Sequence, residues 1–300
     1  MGKFCLALAL PGVLRVVGFL TEPLLGGEDI HRVVGEPDRV VRSAASPEHL
    51  NIVTWNIERG QAYDSVLEVL RTLDADILLL QEVDRHCRRT QYRDVARDLA
   101  RALDLNWVVG GEFQEIGEGR KRQPATTGQA ILSKLPIADA EVVRFKAQAR
   151  WRWSINPVQP RRGGRMALRA RVGGILVYNT HIESGGNERL QRRQIAEIIA
   201  DEGREAKPGT PVIIGGDFNN GPVLRSSMFG SLSAAAFEDA LGSAEHRGPT
   251  ADGQRHPIDW IFVKKVTSLR GRIVSAVSSA SDHFPVLAAL DMAPALVLSR

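Results

Sequence analysis

The chain has 300 residues, of which 43% are hydrophobic and 25% are charged, a balance typical of a globular protein and one that argues against disorder. Its 39 Lys and Arg residues exceed its 35 Asp and Glu residues, and the formal net charge of +4 is compatible with a polyanionic substrate without requiring one. The two cysteines form no CxxC pair, which excludes a disulfide framework and argues against a cysteine-ligated zinc site.

The first 48 residues lack sustained periodicity and predict an N-terminal extension. Residues 4–10 form an apolar run after Lys3, but Pro11 and Arg15 interrupt the apolar text, so we expect no stable membrane span. We favour a loosely packed extension, with a targeting segment as the alternative. A cytoplasmic location follows from the first interpretation, and secretion or membrane association from the second.

Strand and helix patterns alternate from residue 49, and they predict one domain that ends near residue 292, before a C-terminal tail of residues 293–300. The apolar and β-branched residues 51–55 predict a strand. Asp64 can cap the helix that follows. Residues 77–80 are a continuous apolar run, as in a strand that is buried on both faces.

Later segments continue this alternation. A second helix carries Val95, Leu99 and Leu103 on one face, and a third is predicted over residues 188–200. Because the elements lack a strict βαβ rhythm, they favour an α/β sandwich over a barrel. Further strands are predicted over residues 130–132, 166–172, 175–179, 212–214, 258–263 and 284–290.

Polar side chains recur where the predicted strands end. Turn residues often follow strands, but Glu and His are not turn formers, so the set is poorly explained by turns alone. Carboxylates that gather at one place repel each other unless a cation compensates, and hard oxygen ligands favour Mg²⁺ or Mn²⁺. The strand-end residues are Asn56, Glu82, His181, Asp217, Asn219, Asp259, Asp282 and His283.

Seven short motifs follow one another along the chain. They are TWNI (54–57), LLLQEV (78–83), GQAILSKLPI (128–137), NTHIE (179–183), GGDFN (215–219), IDWIFV (258–263) and SDHFPV (281–286). In this order they resemble the endonuclease/exonuclease/phosphatase superfamily. The resemblance implies an α/β fold, a four-layer sandwich of two packed mixed β-sheets flanked by helices. It also implies a divalent-metal-dependent hydrolase that cleaves a phosphoester by metal-assisted attack of water.

The resemblance implies a metal site for Mg²⁺ or Mn²⁺. Glu82 corresponds to the principal metal ligand, with Asn56 and Asp282 in or near the coordination shell. Asp217 corresponds to the residue that orients or deprotonates the attacking water, and Asn219 to the residue that holds Asp217 or the phosphate.

The resemblance also implies roles for two histidines. His283 corresponds to the histidine that donates a hydrogen bond to a phosphoryl oxygen, and Asp259 to the acid that fixes its tautomer. His181 corresponds to a proton donor or phosphate contact near the leaving group. Arg165 and Gln129 are expected to contact the substrate, although relatives often carry Asn where this chain has Gln129.

The partner is expected to be a phosphoester substrate, with nucleic acid first, which makes the chain a phosphodiesterase of nuclease type. The alternatives are a lipid-headgroup phosphodiesterase or phosphatase, similar to sphingomyelinases or inositol phosphatases, and a non-catalytic binding protein on the same fold. Trp151 and Trp153 are compatible with a membrane-facing loop, with base stacking, or with core packing.

Basic residues are clustered in three stretches of the sequence. Each stretch alone is typical of a solvated loop or helix face. If several of them flank one cleft, they would instead form a phosphate-attracting rim. The stretches are Arg85, Arg88 and Arg89; Arg120, Lys121 and Arg122; and Arg161, Arg162, Arg165, Arg169 and Arg171.

Overall fold

The computed structural model describes residues 23–40, 48–149, 151, 160–184, 187–220, 222–242, 248–275 and 279–292, and gives the backbone alone for residues 222–226. Trp153, for which the sequence leaves three roles open, and residues 1–22 of the predicted N-terminal extension lie outside the described residues. The elements in chain order are α1 (Gly27–Ile30), β1 (Val33–Glu36), β2 (His49–Arg59), α2 (Tyr63–Leu73), β3 (Ile77–Arg85), a 3₁₀ turn (Arg88–Thr90), α3 (Val95–Leu103), β4 (Asn106–Glu115), β5 (Thr126–Ser133), β6 (Ile137–Arg144), β7 (Arg161–Gly163), β8 (Met166–Val172), β9 (Ile175–His181), α4 (Glu188–Glu205), β10 (Val212–Asp217), α5 (Pro222–Ala234), β11 (Glu238–Asp239), β12 (Asp259–Lys264), β13 (Ser268–Ile273) and β14 (Val286–Asp291).

These strands form two mixed sheets. The first sheet has the order β1-β4-β5-β3-β2-β14-β13, with β7 also paired to β4, and the second has the order β11-β12-β10-β9-β8-β6. β2 pairs in parallel with β3, and β9 with β10, whereas β14 runs antiparallel to β2 and β12 antiparallel to β10. The carboxyl ends of the four parallel strands therefore lie beside the amino ends of β12 and β14.

Apolar side chains separate the layers because successive residues of a strand point to opposite faces. Ile52 and Leu79 of the first sheet pack against Val177 and Ile213 of the second, in a core between the sheets. Burial of each such side chain contributes roughly 1.5–3 kcal/mol.

The alternate residues face outward onto helices. Trp55 of β2 packs with Leu70 of α2 and Leu99 of α3, and Tyr178 of β9 packs with Ile195 of α4. The order helix, sheet, sheet, helix confirms the predicted four-layer sandwich.

The structure departs from the sequence prediction at β1 and at the start of α2. β1 belongs to the stretch predicted as an extension, yet it pairs with β4 as an edge strand. The N-cap of α2 is Ala62, without a side-chain cap, whereas Asp64, the predicted cap, lies within the first turn. A carboxylate there still favours the helix through the helix dipole. None of the helices in the described residues combines the length and apolar character needed to span a bilayer.

Candidate functional site

The predicted site residues meet where the two sheets present the ends described above. Asn56 and Glu82 come from β2 and β3 of the first sheet, and His283 precedes β14. His181 and Asp217 end the parallel strands β9 and β10 of the second sheet. The site is therefore assembled from both sheets, at one edge of the sandwich.

Two glycines before Asp217 allow β10 to approach its neighbours closely. A Cβ on Gly215 would lie 2.5 Å from Leu79 Cδ1 of the opposite sheet. Gly216 has a φ of +155°, and a Cβ there would lie 1.9 Å from the backbone oxygen of Thr180. Since only glycine tolerates that approach, the GGD sequence is what brings the Asp217 carboxylate to the junction of the sheets.

Asp217 is the centre of the site. Its Oδ2 accepts a hydrogen bond from Asn56 Nδ2 at 3.2 Å, and its Oδ1 accepts one from the Asn219 backbone N–H at 2.9 Å. His181 Nε2 lies 3.3 Å from the same Oδ2. Burial, and then the nearby charge of Asp259, raise the pKa of Asp217, which is 1% exposed, from its ordinary value.

Asp259 and His283 form a buried pair beside Asp217. His283 Nδ1 lies 2.9 Å and 3.2 Å from the two carboxylate oxygens of Asp259, and Asp259 is fully buried. Burial acts to lower the pKa of His283, but the Asp259 carboxylate outweighs it, and the pKa rises to about 10. His283 is therefore cationic at neutral pH, with its Nε2 3.8 Å from Asp217 Oδ2.

His181 has the opposite protonation state. Burial, and then the positive charge of Arg165, hold the pKa of His181 well below its ordinary value. His181 Nε2 lies 3.3 Å from Asp217 Oδ2, and because the imidazole is neutral this contact is not an ion pair. Its Nδ1 is buried and has no hydrogen-bond partner among the residues that the structure describes.

Carboxylates crowd the other side of Asn56. Glu82 lies where β3 shifts register against both β2 and β5, with a φ of 53°, and Asp282 is exposed. Glu58, which is not among the residues predicted from the sequence, lies near both. Burial and then the charges of Asp282 and Glu82 raise the pKa of Glu58, while the Asp282 backbone N–H donates a hydrogen bond to its carboxylate. The sequence signal for Glu58 is its position directly after the TWNI motif.

One cluster of residues at this edge could hold a divalent cation. Ligand atoms of Asp217, Asp259 and His283 all lie within 4.8 Å of one another. Both carboxylate oxygens of Asp259 face His283, however, so this set is already engaged in hydrogen bonding. Glu82 and Asp282 retain negative charge that raises the pKa of a neighbouring acid, which is the condition that a hard cation relieves.

Asn219 is held by its surroundings. Its Nδ2 donates to the Ile182 backbone oxygen at 3.2 Å. Its backbone oxygen accepts from Gln191 Nε2 of α4 at 2.9 Å, and Gln191 also donates to the Glu183 backbone oxygen at 2.7 Å. Gln191 therefore ties the loop after β10 to the loop after β9, a role that its position on a helix did not reveal.

Arg165 and Gln129 lie in the interior rather than on an open surface. Arg165 is 5% exposed, and its Nη1 donates to Glu112 Oε1 at 3.0 Å. Gln129 is fully buried and donates to the Met166 backbone oxygen at 3.1 Å. A direct substrate contact by either side chain stays a prediction, and in this structure Arg165 acts on the site through its charge on His181.

Trp151 packs beside Arg165. Its ring centroid lies 4.8 Å from that of Phe113, and its Nε1 donates to Glu183 Oε2 at 3.3 Å. Of the three roles left open by the sequence (a membrane-facing loop, base stacking or core packing), this geometry matches packing for Trp151.

A family model described as the Endonuclease/Exonuclease/phosphatase family matches residues 53–283 of the chain. The chain belongs to this family. The resemblance inferred from the seven motifs is thereby confirmed. The protein has the phosphoesterase fold of the family and an acidic and histidine cluster that could hold a metal ion.

Solved structures of the same fold are distant in sequence. The endonuclease/exonuclease/phosphatase from Beutenbergia cavernae DSM 12333 is 17% identical, with a TM-score of 0.59 over 85% of this chain and 74% of that one. TDP2 from C. elegans is 20% identical, with a TM-score of 0.53 over 82% of this chain and 76% of that one. The human Nocturnin catalytic domain with bound sulfate anion is 17% identical, with a TM-score of 0.61 over 90% of this chain and 100% of that one. No curated protein matches the sequence.

Proposed function

We propose that this family member is a Mg²⁺- or Mn²⁺-dependent phosphodiesterase of nuclease type, which hydrolyses a P–O bond by attack of water. The observation that carries this proposal is the position of Asp217. A buried carboxylate with a raised pKa lies between an amide from the first sheet and two histidines of opposite protonation state.

Asn56, Glu82 and Asp282 are the residues that we propose hold the cation. A bound Mg²⁺ or Mn²⁺ supplies Lewis-acid stabilisation of the charge that develops on the phosphoryl oxygens. The carboxylates of Glu82 and Asp282 supply hard oxygen ligands, and their mutual repulsion with Glu58 favours the occupied site.

Asp217 orients the attacking water and accepts its proton. A carboxylate suits this work when its pKa lies near the working pH, and burial shifts the pKa of Asp217 in that direction. The Asn219 N–H at 2.9 Å and Asn56 Nδ2 at 3.2 Å fix its two oxygens, so the carboxylate is held in one orientation.

The two histidines bind phosphate oxygens in different ways. Cationic His283 donates from Nε2 to a phosphoryl oxygen, with Asp259 holding its Nδ1. His181 is neutral, and its depressed pKa favours a phosphate contact near the leaving group over proton donation, the two roles implied by the resemblance.

The exposed surface supports nuclease type over a lipid-headgroup enzyme. Enzymes that work at a membrane interface present apolar or Trp side chains to it. Leu24 is the one large hydrophobic side chain that is exposed in the described part of the chain, and Trp151 is hydrogen-bonded to Glu183.

The test is a panel of substrates with Mg²⁺: supercoiled plasmid, single-stranded DNA, RNA, sphingomyelin vesicles and inositol phosphates. We expect hydrolysis of a nucleic acid by the unaltered protein and none by Asp217→Ala. Hydrolysis confined to sphingomyelin or inositol phosphates would reject nuclease type. Equal hydrolysis by Asp217→Ala would reject the assigned role of this carboxylate.

A further inference from the structure

The buried Asp259–His283 pair joins two segments that belong to different sheets. Asp259 begins β12 of the second sheet, whereas His283 precedes β14 of the first. The 2.9 Å contact between His283 Nδ1 and Asp259 Oδ2 therefore depends on how these two strand ends are held against each other. Apolar packing between the sheets is not directional, so a polar tie beside the pair fixes such a distance better than packing does.

Thr250 lies between the two segments and binds the backbone of both. Its side-chain Oγ1 accepts hydrogen bonds from the backbone N–H groups of Ile258 at 2.9 Å and of Asp259 at 3.0 Å. Its own backbone oxygen accepts the Phe284 N–H at 2.6 Å. Thr250 is thus bonded to the residue that carries the acid and to the residue directly after His283.

The residues that follow Thr250 extend this contact. Residues 250–252 run antiparallel to residues 282–284, with backbone hydrogen bonds at both ends of the stretch and a β-bridge between Ala251 and His283. From the other side, the His283 backbone oxygen accepts a hydrogen bond from Trp55 Nε1 of β2 at 2.8 Å. The His283 segment is therefore held between the first sheet and the loop that leads into β12 of the second.

Burial makes the threonine hydroxyl difficult to replace. Thr250 and Asp259 are fully buried, and Ile258 is 7% exposed. A buried N–H group that loses its acceptor is costly, because water does not take the place of the lost partner. The β-branched side chain also restricts χ1, which keeps the hydroxyl in one place. The sequence GPTADG around Thr250 is typical of a turn, so no local pattern marks this residue.

We propose that Thr250 is a positioning residue of the site, which sets the geometry of the Asp259–His283 pair and so aims His283 Nε2 at the phosphoryl oxygen. For its effect on hydrolysis this inference rests on the proposed function. Thr250 is fully buried and acts through the backbone of its neighbours rather than by touching the substrate. A displacement of about 1 Å in a group that acts on the substrate can lower the rate about 100-fold.

A set of variants separates the hydroxyl from the shape of the side chain. Thr250→Val keeps the shape and removes the hydroxyl, whereas Thr250→Ser keeps the hydroxyl. The matched control is Thr90→Val, because Thr90 is also buried and its Oγ1 donates to the Cys87 backbone oxygen at 3.1 Å, in the turn after β3. Thr250→Cys, whose sulfur is a weaker acceptor, gives the same comparison if Thr250→Val folds poorly.

The first measurement is the hydrolysis of bis-p-nitrophenyl phosphate with Mg²⁺. We expect kcat and kcat/KM of Thr250→Val to fall together by about 100-fold, the pattern of a contact that is made in the transition state. Thr250→Cys should show a smaller loss in the same direction. Thr250→Ser and Thr90→Val should retain most of the turnover of the unaltered protein.

The second measurement requires no turnover. In NMR spectra of the full chain labelled with ¹⁵N-histidine, in the presence of Mg²⁺, the Nδ1–H of His283 should exchange slowly with water because Asp259 holds it. Its resonance is assigned by its absence from the spectrum of His283→Asn. We expect the resonance to persist in Thr250→Ser and Thr90→Val and to be lost by exchange in Thr250→Val. A general loss of stability, which Thr90→Val reproduces, would leave it in place.

The inference and the proposed function fail separately. Thr250→Val that keeps both its turnover and the His283 resonance would remove only the positioning role, and so would Thr90→Val that loses both equally. Loss of the resonance in Thr250→Val, in a chain whose unaltered form hydrolyses no diester, would support the positioning of His283 and remove only the proposed reaction.

Discussion

Replacement of Asp259 by Asn isolates the charge of the buried Asp259–His283 pair. Asn keeps the size of the side chain and a carbonyl oxygen for Nδ1 but removes the negative charge that lies 2.9 Å from the ring. Asp259 is fully buried, so water replaces little of that charge. We therefore expect the variant to destabilise the fold in a pH-dependent way and to lower activity.

The size of the effect follows from the pKa of His283. That pKa is about 10 in the folded chain against an ordinary 6.5. At about 1.4 kcal/mol for each pH unit, the pair contributes up to about 5 kcal/mol. A raised histidine pKa stabilises fully below pH 6.5, and its contribution is lost as the pH rises through about 10. Burial, the larger cause of the raised pKa of Asp217, remains in the variant, but removal of Asp259 takes away the second cause, so we expect a net loss of ~3 kcal/mol at about pH 6.

Urea unfolding of the metal-free protein at about pH 6 and about pH 9 measures this dependence. The deficit of Asp259→Asn should shrink by about 3 kcal/mol between the two values. Asp139→Asn, which removes an exposed carboxylate paired with Arg171, should change stability by less than about 0.5 kcal/mol at either pH. A deficit that is the same at both values would refute the assignment of the charge to His283.

Three further predictions concern metal, backbone and a second buried acid. Chelation of divalent ions should abolish hydrolysis in an activity assay, and added Mg²⁺ or Mn²⁺ should restore it. Full activity of the metal-free protein would contradict the metal requirement. Gly216→Ala should lower the unfolding free energy in urea by more than about 3 kcal/mol, because the added Cβ would lie 1.9 Å from the Thr180 backbone oxygen. In the control Gly230→Ala on α5, the added Cβ meets nothing within 4 Å, so this variant should be stabilised by up to about 1 kcal/mol. Burial raises the pKa of Glu112 to about 7, so ionisation of Glu112 opposes folding increasingly as the pH rises from 4.5 to about 7. In urea unfolding, the Glu112→Gln variant should lose this dependence of the unfolding free energy on pH. The same dependence in the variant as in the unaltered protein would contradict the raised pKa of Glu112.

Elements with strong periodicity were predictable from the sequence. The strand over 166–172 has the predicted bounds, and the helix predicted over 188–200 continues to Glu205. β4 was missed because its segment NWVVGGEFQE is rich in glycine and acids and reads as a loop. Its buried acids pair with arginines from other segments, Glu112 with Arg165 and Glu115 with Arg89 and Arg161. Information of that kind is tertiary, so no local pattern contains it.

The same distinction applies to the site. Side chains at strand ends, such as Asp217 and Glu82, were predictable because parallel strands end at a common edge. Glu58 and Gln191 were not, since each acquires its role from a contact with a distant segment: Glu58 with Asp282, and Gln191 with Asn219. The basic stretches behave similarly, because pairing with acids rather than sequence decides which arginines remain available to phosphate.

A buried polar network between the sheets explains how two separate halves keep a fixed alignment. Gln81 Nε2 donates to Asn179 Oδ1 at 2.6 Å, and Asn179 Nδ2 donates to the backbone oxygens of Leu80 and Ala130 at 2.9 Å and 2.8 Å. Gln81 precedes Glu82, and Asn179 lies two residues before His181, so the network joins the strands that carry the site. Apolar packing alone would tolerate a small slide of one sheet over the other, whereas directional hydrogen bonds in a low-dielectric interior do not. The distance from Asp217 of the second sheet to Asn56 of the first therefore depends on Gln81 and Asn179, neither of which needs to touch the substrate.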